Sequence, residues 1–195
     1  MSRILIVDDE EPILNALRRV LSLTPCTAGE KIYRLKVDVF VSPQEALEKA
    51  RHTAYDLVLS DYRMPAMTGV QFLKAFRELQ PDAARLIVSG YADLNGLIGA
   101  INEAGISRFI PKPWNDYELV AAIAQALALR DVTLENQKLA DQTRVASGTI
   151  SEEEVERKRL EAEEPGITKV NWGPDGSVLL DESLLDEYSR ANRSS

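Results

Sequence analysis

Short apolar runs alternate through the first two-thirds of the chain with longer stretches in which apolar residues recur every three or four positions. The runs Arg3–Val7, Leu35–Phe40, Asp56–Ser60, Arg85–Ser89 and Arg108–Ile110 predict five strands. Unbroken segments such as Ile4-Leu5-Ile6-Val7 and Leu86-Ile87-Val88 suit strands covered on both faces, as in a parallel sheet. The periodic stretches predict helices beginning near Pro12, Pro43, Gly69, Asp93 and Asn115. Ser42 before Pro43 supplies an N-cap and a first helical residue, and Asn115 or Asp116 caps the last of these helices. In that helix Leu119, Val120, Ile123, Ala126 and Leu127 form an apolar stripe. Strands alternating with helices in this way predict an α/β fold, a doubly wound parallel sheet of five strands.

The pattern changes after Arg130. The last helix is expected to run on through Leu134 and Leu139 to Ala146 and to stop at Ser147-Gly148, a helical extension over 131–148. Its seam in the register Val120, Leu127, Leu134 is a poor one for a coiled coil, because Ala124, Asp131 and Lys138 fill the alternate positions. Residues 149–195 read as an acidic accessory tail. Ser151 with Glu154 forms a capping box, with Ile150 placed to staple onto Val155, and the helix it opens should end at Pro165-Gly166. Thr168–Trp172 and Ser177–Leu180 flank Gly173-Pro174-Asp175-Gly176 as a small hairpin, and a final helix includes Leu184, Leu185 and Tyr188. Thr24–Arg34, interrupted by Pro25 and Gly29, reads as an irregular link without assigned chemistry.

Charge sharpens this division. The chain of 195 residues has a net charge of −8, with 15 Lys and Arg against 16 Asp and Glu up to Arg130, and 8 against 15 beyond it. Neither part has the basic stripe that releases counterions from nucleic acid, which argues against direct DNA binding. No apolar run approaches the roughly 20 residues of a membrane span, so a cytoplasmic protein with no membrane association is expected. A single Cys26 cannot form an internal disulfide.

The candidate chemistry sits at strand ends. Asp8 and Asp9 follow the first strand, Asp61 the third, Ser89 closes the fourth and Lys112 follows the fifth. Taken singly each has an ordinary explanation: a helix cap, a turn residue or a solvated lysine. In a parallel sheet, however, the carboxyl ends of the strands open on one edge, where ligands bind. Three carboxylates gathered there within about 4 Å would repel by about 4 kcal/mol per pair at an effective dielectric near 20, and so call for a cation. With no His or Cys beside them, the oxygen donors suit a hard ion such as Mg²⁺. An ion held by carboxylates can hold phosphoryl oxygens on its other side, with Lys112 and Ser89 contacting the same group. Asp61, alone on the third strand, is then a reasonable nucleophile, forming an aspartyl phosphate.

Ile6-Val7-Asp8-Asp9-Glu10, the stretch from Asp56 to Pro65 with Gly69, Val88-Ser89-Gly90 and Lys112-Pro113 together resemble the receiver domains of two-component response regulators over about residues 1–130. Ser89-Gly90-Tyr91-Ala92-Asp93 with the segment from Phe109 to Asp116 is most similar to receivers of cyclic-di-GMP phosphodiesterase regulators and hydrogenase-gene regulators. The resemblance implies a flavodoxin-like strand order 2-1-3-4-5. It also implies that Asp61 is the phosphoacceptor, and that Asp8, Asp9, Asp61 and the backbone carbonyl of Arg63 hold Mg²⁺. Lys112 contacts the phosphoryl group, Lys112-Pro113 is cis, and Ser89 and Phe109 form the switch. Arg63 and Tyr91, both bulky, shield the acyl phosphate and imply slow self-dephosphorylation. The implied partners are a histidine kinase, an unidentified downstream protein and, through the face of the fourth helix, fifth strand and fifth helix, a homodimer.

Among the outputs of that family, a metal phosphohydrolase needs several His, whereas the chain has only His52, and no Gly-rich phosphate loop is present for an ATPase. The expectation is therefore a phosphorelay protein that signals by changing protein contacts and catalyses nothing beyond its own phosphorylation and dephosphorylation. The alternatives are a constitutive adaptor or scaffold, or a phosphate sink, whose tail carries the main interaction.

Overall fold

Every strand of the central sheet divides its side chains between two cores. Ile4, Ile6, Leu57, Leu59, Leu86, Val88 and Ile110 point to one face, Leu5, Val7, Val58 and Ile87 to the other. In this computed structural model, which describes residues 1–90, 104–165 and 167, the order of elements begins with β1 (Ser2–Val7), α1 (Glu11–Leu23), β2 (Cys26–Ala28), β3 (Lys31–Tyr33) and β4 (Leu35–Phe40). Next come α2 (Pro43–Ala50), β5 (Leu57–Asp61), α3 (Gly69–Leu79), β6 (Ala84–Gly90) and β7 (Arg108–Lys112), and then α4 (Asp116–Ala146) and α5 (Glu152–Glu163). The helix predicted from Asp93, the hairpin within 168–180 and the final helix lie outside the described residues.

The main sheet is parallel throughout, in the order β4-β1-β5-β6-β7, which is the expected 2-1-3-4-5 arrangement once β2 and β3 are set aside. Helices α1 and α4 cover one face through Leu14, Leu17, Leu119 and Ile123, and α2 and α3 cover the other through Ala46, Ala50, Phe72 and Phe76. Full burial of each such Leu, Ile or Phe contributes about 1.5–3 kcal/mol, so the two cores dominate the stability of the sheet. Ser42 caps α2 by accepting the Glu45 amide, and Asn115, rather than Asp116, caps α4 by accepting the Tyr117 and Glu118 amides.

The Thr24–Arg34 link is not irregular, as the sequence suggested. It is a two-stranded antiparallel hairpin pairing Cys26 with Tyr33 and Ala28 with Lys31, and Gly29 turns it at a φ of 58°, a conformation favouring glycine. Three-residue strands are too short to register as an alternating pattern. The hairpin packs β2 against α4, and its side chains fasten that helix where it leaves the sheet. Lys31 Nζ lies 2.6 Å from Asp131 Oδ2, and the Tyr33 hydroxyl donates to the same oxygen at 2.9 Å. One residue earlier, Arg130 pairs with Asp56 at 2.8 Å and donates to the Asp82 carbonyl at 3.0 Å.

Helix α4 is continuous over 31 residues, about 46 Å at 1.5 Å per residue, and its buried stretch ends at Leu127. It runs as expected to Ala146. Ser151 then accepts the Glu154 amide to start α5, which returns beside the extension. Lys158, Glu161 and Ala162 from α5, with Leu134, Gln137 and Arg144 from α4, line a cavity of about 560 Å³. That cavity also meets Pro81 and Asp82, at the amino end of β6. Among the described residues no helix is long and apolar enough to cross a membrane.

Tyr33→Phe removes the hydroxyl bond to Asp131 and little else. It is expected to cost about 1 kcal/mol, and to raise hydrogen exchange in 131–146 while leaving 119–127 protected; unchanged exchange beyond Arg130 would show that the hairpin does not brace the helix.

Candidate functional site

Register brings the strand ends level. Val7 pairs with Ser60, Asp61 with Val88, and Gly90 with Lys112, so the residues at these ends share one edge of the sheet. There the Lys112 ammonium lies 2.8 Å from Asp8 Oδ2 and 2.5 Å from Asp61 Oδ1. Asp8 is 1% and Asp61 7% exposed. The other Asp8 oxygen accepts the Glu10 amide at 2.9 Å, and the other Asp61 oxygen accepts the Arg63 amide at 2.6 Å. Ser89 is buried at the end of β6, and Phe109 is half-buried on β7 against the α2–α3 core. The Lys112-Pro113 bond is cis.

Two expectations need correction or qualification. The three carboxylates do not gather within about 4 Å, and among the described residues no three His, Cys, Asp or Glu side chains are placed to hold a metal ion. Asp8 and Asp61 meet through Lys112 instead, while Asp9, next to Asp8 in the chain, is exposed. The Arg63 side chain is exposed and its amide bonds Asp61; Tyr91 lies outside the described residues.

The electrostatics leave a deficit of positive charge. Two buried carboxylates share one ammonium, and Asp9 adds a third negative charge nearby. Burial lifts the Asp61 carboxyl above its usual range and Asp8 adds to the effect, more than Lys112 and the Arg63 amide take away. Burial acts to lower the Lys112 pKa, but the hydrogen bonds and charges of Asp61 and Asp8 outweigh it and raise it, so Lys112 stays protonated. A hard cation with oxygen preference fits this donor set, since it would neutralise the excess on Asp8 and Asp61.

Gly69 is the site residue whose role sequence reasoning left unexplained. A Cβ built on it would sit 2.0 Å from the carbonyl oxygen of Asp61, so only glycine lets the start of α3 lie against the phosphoacceptor candidate. The Gly69 amide bonds the Tyr62 carbonyl at 2.9 Å, and Ser60 Oγ donates to the Asp61 carbonyl at 2.8 Å. The capping box of Thr68 and Gln71 was the available signal, because it fixes that glycine as the first residue of a helix.

Residues 4–124 match the response regulator receiver domain family. The chain is 38% identical over 182 residues to the hydrogenase transcriptional regulatory protein HoxA of Bradyrhizobium diazoefficiens, covering 93% of this chain and 34% of that protein. It thus spans about a third of that regulator's length. Among solved structures, the signal receiver domain of an HD domain-containing protein from Pseudomonas fluorescens is 34% identical, with a TM-score of 0.58 over 67% of this chain and 98% of that one. A CheY-like receiver from Methanospirillum hungatei is 28% identical, with a TM-score of 0.60 over 68% and 98%.

A raised folded pKa means that the metal-free folded chain holds the Asp61 proton more tightly than the unfolded chain does. Its contribution to stability therefore grows as pH falls through that folded pKa. In a carboxyl NMR titration Asp61 should protonate above the ordinary carboxylate value without divalent ion and shift down when Mg²⁺ is added; an ordinary or depressed value in metal-free protein would contradict the charge deficit.

Proposed function

This chain belongs to the response regulator receiver family, and on that premise we propose that it is a phosphorelay protein in which Asp61 accepts a phosphoryl group from a histidine kinase. The observation that carries the reading is Lys112 spanning Asp8 and Asp61 at a buried sheet edge. An Asp61 carboxylate oxygen attacks phosphorus, the bond from phosphorus to the donor's imidazole nitrogen breaks, and the imidazole leaves with the electron pair and takes up a proton. Lys112, already protonated and in contact with the nucleophile, follows the negative charge to a phosphoryl oxygen, and the Ser89 hydroxyl donates to another. Mg²⁺, held by Asp8, Asp9, Asp61 and the Arg63 carbonyl, would supply charge neutralisation for the incoming group.

Ser89 moving toward the phosphoryl group leaves space into which Phe109 turns. New charge-assisted hydrogen bonds then bias a two-state element and reshape the surface around β7 and the start of α4. Output passes through protein contacts, consistent with the net charge of −7 after Arg130, and the protein works in the cytoplasm. Its likeness to two hydrogenase transcriptional regulatory proteins supports hydrogenase-gene control as the process it serves.

With Mg²⁺ and acetyl phosphate, the wild type is expected to gain one phosphoryl group by mass spectrometry, and Asp61→Asn none. Equal partner binding by both forms in a pull-down would favour a constitutive adaptor instead.

Arg63, two residues past Asp61, and Tyr91, two past Ser89 in the chain, are bulky and slow attack of water on the acyl phosphate. Arg63→Ala should shorten the phosphoryl lifetime several-fold; a wild-type half-life of only seconds would contradict shielding.

A further inference from the structure

Where α5 returns beside the extension of α4, the two helices frame the cavity of about 560 Å³, and the end of α3 with the turn before β6 walls its third side. It lies at the amino ends of the strands, the edge of the sheet away from Asp61. Its volume falls within the range of small-molecule sites, roughly 300–1,000 Å³. Arg130 and Arg144, the first and last residues of α4 to line it, stand about 21 Å apart along the helix, so the cavity is long and narrow. Its two ends differ in chemistry. Around Arg130 the walls are apolar carbon from Tyr55, Leu79, Pro81, Ala83 and Leu134, and the guanidinium itself is taken up by Asp56 and the Asp82 carbonyl. The other end holds Arg144 and, from the first half of α5, Lys158. Of the acids there, Asp141 pairs with Arg144 at 3.3 Å and Glu161 is also engaged. Lys158 makes no ion pair among the described residues.

We propose that this cavity binds an organic acid, a carboxylate carried on an unbranched apolar chain, with the carboxylate between Lys158 and Arg144 and the chain running past Leu134 to Leu79 and Pro81. The narrow section along so long a helix face suits an extended chain and excludes a bulky ring system. A carboxylate head gives the Lys158 ammonium a partner, and the Arg144 guanidinium keeps N–H donors beyond the one facing Asp141. An ammonium head would instead meet two cations. The apolar end supplies the rest of the affinity, since each methylene buried there strengthens binding about fourfold. Such a molecule touches the sheet domain, α4 and α5 together, and so holds α5 against the extension. Its chain end lies beside the Arg130 pair with Asp56, the joint at which α4 leaves the sheet. The site is separate from the Asp61 edge, and the inference does not depend on phosphorylation.

Calorimetric titration of the full chain with decanoate, kept below its micellar concentration, tests it. Wild type is expected to take up one decanoate per chain with saturation, hexanoate to bind more weakly, and decylammonium not to bind. Leu134→Glu puts a charge into the apolar end and Lys158→Glu reverses the cation at the head, and each should weaken decanoate binding about tenfold. Neither side chain is buried, so circular dichroism should show unchanged helix content in both variants. Heat that does not saturate, either variant binding like the wild type, or decylammonium binding as tightly as decanoate would each overturn the site. A chain that sediments with phosphatidylglycerol vesicles but ignores dissolved decanoate would overturn it in favour of a membrane surface. Acetyl phosphate uptake at Asp61, scored on the same samples, fails or succeeds independently of these results.

Discussion

A single ammonium shared by two buried carboxylates is the constraint on which the sheet edge depends. Lys112 reaches Asp8 from β1 and Asp61 from β5, and so ties the last strand of the sheet to its centre. Burial disfavours the ionised form of Asp61, and Lys112 offsets part of that cost. One cation for two anions is also an unfinished balance. The same geometry that stabilises the fold therefore leaves the edge with an excess of negative charge that further positive charge would balance.

The parallel sheet and the meeting of Asp8, Asp61 and Lys112 at its edge were legible because they rest on simple signals. Ile4–Val7 and Leu86–Val88 are apolar on both faces, and a reactive residue at each strand end needs only level registers to meet the others. What the sequence hid depends on direction and on long-range contact. Asp9 looks equivalent to Asp8 in the sequence, yet Asp8 is buried against Lys112 and Asp9 is exposed. The hairpin of Cys26–Ala28 with Lys31–Tyr33 makes sense only beside α4, a hundred residues later in the chain. The heptad question had the same root. Apolar spacing alone cannot tell which side of α4 faces the sheet, and the seam visible in sequence is the side that packs there, through Val120 and Leu127.

The receiver and its extension are joined at two adjacent residues of opposite charge. Arg130 is held by the amino ends of β5 and β6 through Asp56 and the Asp82 carbonyl, and Asp131 by the inserted hairpin. The helix thus leaves the domain with its azimuth set from two sides. A change in the sheet edge that tilts α4 would be carried outward along a stiff rod rather than lost in a flexible linker.

The contact of Gly69 with the Asp61 carbonyl has a mechanical reading. With no side chain between them, the backbone of Asp61 and the first turn of α3 cannot shift independently, and Ser60 adds a second tether to the same carbonyl oxygen. Asp61 and α3 therefore serve as the stationary frame of the molecule. Whatever rearranges when charge arrives must do so on the opposite bank of the cleft, among the strands beyond β5.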